Sequence, residues 1–82
     1  MKVGIYESLP VRIEAIKYNG KNVEELKEFG GESVYYVGDT VFIDTLEGEM
    51  MIKPSDYLVK GIEGEFYGVK GSIFRKKYRK VG

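Results

Sequence analysis

Neither cysteine nor histidine occurs in the 82 residues, and the two absences remove most of the chemistry a short chain can carry. Without thiols there is no disulfide staple and no thiolate metal site, and cysteine usage gives only a lean towards the cytosol. Without imidazole the usual zinc ligands, the commonest general base at neutral pH and every Ser-His or Cys-His nucleophilic arrangement are gone. Long apolar runs are missing too. The stretch MKVGIYESLPVRIEA is broken by Glu7, Pro10, Arg12 and Glu14, so no signal-peptide core can be drawn. No span approaches the roughly 20 apolar residues of a membrane helix. The expectation is a cytoplasmic protein that is not an enzyme, binds no metal or cofactor and makes no membrane contact.

What is present fits one domain, residues 1–82, with a small core, because a chain of this length buries only about 60% of its unfolded surface. The net charge is zero, but the zero hides an asymmetry. Residues 1–68 hold 7 Lys/Arg and 13 Asp/Glu, a balance of −6, while residues 69–82 hold 6 Lys/Arg and no acid, a balance of +6. Such blocks mark either a tail for an anionic partner or a final segment packed across its own acidic domain.

Eleven glycines punctuate the chain, as short strands and tight turns require. After an N-terminal segment, 1–10, Val11 to Tyr18 reads as a strand closed by Asn19-Gly20 and covered on both faces for part of its length. Val23 to Phe29 reads as a helix, with Asn22 as N-cap, Glu25 completing a capping box and Gly30-Gly31 as the left-handed stop. From Ser33 onward the pattern is a meander: 33–37, 40–46, 49–53, 57–60 and 65–67 as strands with glycine or proline between them. Ser72 caps one helical turn through Phe74, and a basic strand covers 75–82, its extended part running from Lys77 to Val81.

The segment Pro54 to Phe74, PSDYLVKGIEGEFYGVKGSIF, together with RIEAIKYNG and TLEGEM, resembles a family of short, uncharacterised bacteriophage and prophage proteins. Its members share a Pro-Gly-Asp-Tyr-type turn and a Gly-Glu-Phe-Tyr segment. The resemblance implies a phage origin and a compact α+β fold, and implies no activity. Ser55 replaces the family's usual glycine, Gly68 and Gly71 stand where proline is frequent, and Arg75-Lys76-Lys77 reverses the charge of a segment that is usually acidic.

Asp56 is expected to fix the turn at 54–57 by accepting backbone N–H groups; the alternative, an acidic hard-cation pocket with Asp39 or Asp44, lacks calcium-site spacing. The run Gly61, Gly64, Gly68, Gly71 matches no phosphate loop and reads as turns. Phe29, Phe42, Phe66 and Phe74 are the expected core. Tyr35 and Tyr36, being adjacent, point to opposite faces of a strand, so one of them is exposed. Tyr67 and Tyr78 add exposed rings beside Lys70, Arg75, Lys77 and Arg79, the mixture that interface centres favour.

The expected fold is α+β: one short helix on a twisted, mainly antiparallel sheet of five or six strands, half-curled towards a partly open small barrel. The expected function is stoichiometric binding of a host protein, such as a defence protein, by occupation. Two other classes stay open: a homo-oligomer that sequesters an anionic nucleotide between Lys70, Arg75, Lys77 and Arg79, and a nucleic-acid binder using the basic tail.

Overall fold

The computed structural model describes residues 2–82. It contains six strands and two α-helices in the order β1 (Glu14–Lys17), α1 (Val23–Gly30), β2 (Val34–Val37), β3 (Thr40–Thr45), β4 (Gly48–Ile52), β5 (Tyr57–Lys60), β6 (Phe66–Val69) and α2 (Gly71–Lys77), with a 3-10 turn, Gly31–Ser33, between α1 and β2. All strand pairs are antiparallel, and they form two three-stranded sheets rather than one: sheet A with the order β1-β5-β6 and sheet B with the order β2-β3-β4. The α+β expectation holds, and no barrel closes.

Register decides which residues meet. In sheet B, Val34 lies opposite Ile43 and Val41 opposite Ile52, which puts their four aliphatic side chains on one face, all buried. In sheet A, Ile16 lies opposite Leu58 and Leu58 opposite Gly68, and this face closes on the first. Gly68 is the point of closest approach: a Cβ there would stand 2.5 Å from Ile52 Cδ1, so the sheets can meet only over a residue without a side chain. Leu26 of α1 completes the core, with Val23, Phe29 and Phe66 at its margin. The phenylalanines expected at the centre are all half-buried: Phe29 and Phe66 pack at the margin of the core, while Phe42 stacks on Tyr35 and Phe74 on Tyr57. The buried aromatic is Tyr18, whose hydroxyl donates to the Asp39 carbonyl and whose pKa is raised by burial and then by the Asp39 charge.

The helix boundary matches its signals while the cap does not. The Asn22 side chain makes no cap bond to α1; its Oδ1 accepts the Asn19 N–H at 2.8 Å and its Nδ2 donates to the Lys17 carbonyl at 2.9 Å. The Asn19-Gly20 turn captures the side chain that was expected to cap the helix, and the Glu25 capping box has no partner to complete. At the other end Gly31 takes φ 58°, and Lys27 Nζ donates to the carbonyls of Gly31 and Val34 at 2.8 and 2.6 Å, tying the last turn of the helix to the start of β2.

Two segments depart from expectation. The first strand has four residues rather than eight, and residues 2–13 hold neither helix nor strand. Arg75–Lys77 belongs to α2, and residues 78–82 form no strand. The C-terminal segment is docked, but as a helix: Phe74 and Tyr78 lie four residues apart on one helical flank and cover the outer face of sheet A.

Candidate functional site

The site begins at a turn. Pro54 and Ser55 occupy its centre, the Asp56 N–H donates to the Lys53 carbonyl at 2.9 Å, and Ser55 has φ 79°, the pattern of a type II turn. Ser55 is the one non-glycine residue with positive φ among the described residues. Asp56 locks the turn from within, its Oδ2 accepting the Lys53 N–H at 3.0 Å. The end of β1 then pins it in place: Ser55 N–H donates to the Tyr18 carbonyl at 2.7 Å and Tyr18 N–H to the Asp56 carbonyl at 2.9 Å.

Against this turn rests the start of α2. A Cβ on Gly71 would collide with the Ser55 carbonyl oxygen, so glycine lets the helix begin in contact with the turn. An aromatic layer holds the helix down on the outer face of sheet A. Tyr57 stacks on Phe74 with ring centroids 3.8 Å apart, and Phe74 meets Tyr78 at 4.8 Å. Beneath lies Val59, fully buried, on the face opposite to Leu58. Tyr67, paired with Val59 in the sheet, has its pKa pushed up to about 12, by burial first and by the neighbouring Tyr78 hydroxyl second.

Between β4, the turn and α2 runs an open groove of about 520 Å³. Met50 and Ile52, which share one face of β4, give it an apolar side, and Lys53, Lys70 and Arg75 stand around it. All three cations are exposed, and the one carboxylate in the lining, Asp56, is engaged by the backbone of its own turn. Between α1 and strands β1 and β5 a second hollow carries the opposite sign, with Glu14, Glu25 and Glu28 against a single Lys60. The charge asymmetry of the sequence is therefore an asymmetry in space.

Of the expected binding residues, Lys70 and Arg75 are brought together in the groove. Lys77 and Arg79 are exposed but do not line it. Tyr67 and Tyr78 are half-buried members of the aromatic layer rather than exposed rings, a correction that follows from the helical path of 71–77. Tyr35 and Tyr36 lie in sheet B, on the strand farthest from β4, and both are exposed at 41% and 39%. Tyr35 stacks on Phe42 at 5.0 Å and its hydroxyl donates to the Glu49 carboxylate, which raises its pKa.

Met50 and Lys53 carry no signal in the sequence because they reach the site through the contact between β4 and β6, strands of different sheets, and the turn that follows it. No three carboxylates converge as a metal site requires among the described residues, and no helix there is long and apolar enough to cross a membrane. Comparison with family models, curated proteins and solved structures finds no match to the chain.

Proposed function

We propose that the chain is a small non-catalytic binding domain that acts by occupation, seating an acidic, partly apolar segment of a partner protein in the groove between β4 and α2. The observation that carries this reading is the pairing of Lys53, Lys70 and Arg75 with the apolar side formed by Met50 and Ile52. The cations attract and orient a carboxylate-bearing segment, and the unbranched Met50 adapts to the apolar side chain beside it. The groove is open, whereas small-molecule sites bury 70–90% or more of their ligand, and this favours a protruding protein segment over a free nucleotide. Lys76, Lys77, Arg79 and Lys80 flank it and extend the positive field that steers an acidic partner. The resemblance to phage proteins supplies the setting: the partner is a host protein, and binding is stoichiometric.

The test is capture from bacterial lysate on immobilised wild-type chain and on a Lys70→Glu/Arg75→Glu variant. A saturable partner held by the wild type and lost by the variant is expected. No saturable partner, or equal capture by both proteins, overturns the proposal; displacement of the bound protein by mononucleotides or by single-stranded DNA moves the site to one of those ligand classes.

A further inference from the structure

β4 ends sheet B, with β3 on one side and, among the described residues, no strand on the other. Its main-chain groups alternate between the two sides. The two-residue loop of Leu46 and Glu47 closes on the Thr45–Gly48 pair, from which the ladder bonds to β3 recur at Met50 and Ile52. The N–H and C=O groups of Glu49 and Met51 therefore face away from β3. The next residue of that series shows the direction. Lys53 donates its N–H to Asp56 Oδ2 at 3.0 Å, and its carbonyl accepts the Asp56 N–H at 2.9 Å, both outside the sheet. From Gly48 to Ile52 there is neither proline nor lysine, the residues with which exposed edges are commonly blunted.

The groove runs along this edge. Met50, Met51, Ile52 and Lys53 line it in succession, and consecutive residues of a strand point to opposite faces, so what they share is the edge between the faces. We infer, on the basis of the groove reading above, that the partner segment binds in extended form as a fourth strand of sheet B, paired to the main-chain groups of Glu49 and Met51. Unpaired groups along a strand edge are matched by another extended chain, whereas a helix has spent its own groups internally.

Charge selects the occupant. Alternate side chains of the added strand enter the space between β4 and α2, beside Lys70 and Arg75, where carboxylates complement the cations. The acid on β4 itself does not oppose them, since Glu49 lies on the face away from Met50 and Ile52 and its carboxylate accepts the Tyr35 hydroxyl. A second copy of β4 is the poorer occupant, because a two-fold pairing brings its Lys53, Lys70 and Arg75 towards the same three cations. The class recognised is thus an extended stretch with an acidic residue at every second position, whatever fold the rest of the partner has.

The test titrates an acetylated, amidated hexapeptide of alternating valine and glutamate into the isotope-labelled wild-type chain, followed by NMR. Saturable shifts and slowed exchange at the amides of Glu49 and Met51 are expected. Met51→Pro removes an N–H that β3 does not use, so the fold should hold, and its affinity for the peptide is expected to fall about tenfold. Met51→Ala keeps the N–H and should lose less. No binding, binding without protection at Glu49 and Met51, equal losses in the two variants, or equal binding of the same peptide with lysine for glutamate overturns the inference. So does a wild-type dimer that Met51→Pro breaks, which would put a second copy on the edge. The groove reading fails separately. Lysate capture that Lys70→Glu/Arg75→Glu abolishes and Met51→Pro spares refutes strand addition alone, whereas the absence of any saturable capture refutes the reading on which it rests.

Discussion

Leu58 and Val59 are neighbours in β5, both fully buried, and they look into different worlds. Leu58 faces the aliphatic space between the two sheets, closed by β3, β4 and α1. Val59 faces outward, under an aromatic lid of Tyr57, Phe74 and Tyr78 supplied by the turn and by the basic end of the chain. The inner layer holds the domain together. The outer layer is thinner, half-solvated and cationic, and the first turn of its helix forms one wall of the groove. The proposed binding groove thus runs beside a helix whose inner side closes a second small core.

The difference can be broken most directly at those two residues. Leu58→Ala removes a side chain from the main core and is expected to cost about 3 kcal/mol in urea unfolding. Val59→Ala removes two methyl groups beneath the lid and is expected to cost about 1.5 kcal/mol. Equal costs would show that the two faces belong to one core.

Alkali sharpens the comparison from the outer side. Tyr67 ordinarily titrates near 10 and is pushed up to about 12 in the folded chain. A group whose pKa is higher folded than unfolded contributes stability that is complete below pH 10 and is lost as the pH rises through about 12. Absorbance at 295 nm should show a late-titrating tyrosine that Tyr67→Phe removes, with stability falling above pH 10; Tyr18, raised by burial in the inner layer, should remain late in that variant.

The smallest effect is at the joint between the layers. Ser55→Gly relieves the positive φ of the turn and is expected to raise stability by under about 1 kcal/mol, read as a small rise in the urea midpoint with no loss of partner capture.

Much of this was legible in the residues. Asn19-Gly20, Gly38-Asp39 and Gly48 punctuate the elements where the chain in fact turns, and β5 has the boundaries its sequence suggests. What local pattern does not reveal is which strands share a sheet. β1 pairs with β5 across the whole of sheet B, and that choice depends on Leu58 and Gly68 fitting against Ile16 and Ile52 rather than on any turn. The segment RKKYRKV was misread as a strand because its aromatic and long basic residues suit an edge. Its first three residues complete α2, a helix with Lys70 in the cap position and Phe74 stacked on Tyr57, and that packing overrides the local preference. The groove inherits both misreadings, since it exists only where β4, the turn and α2 converge.

Amide exchange and ring contacts by NMR on the isotope-labelled wild-type chain test the docked outer layer most directly. The account predicts nuclear Overhauser contacts between the Tyr57 and Phe74 rings and slowed exchange at the amides of Phe74 and Tyr78, which donate to the carbonyls of Lys70 and Phe74 at 2.8 and 2.9 Å. Random-coil shifts and unprotected amides through residues 71–78 would contradict it, leaving the groove without its second wall.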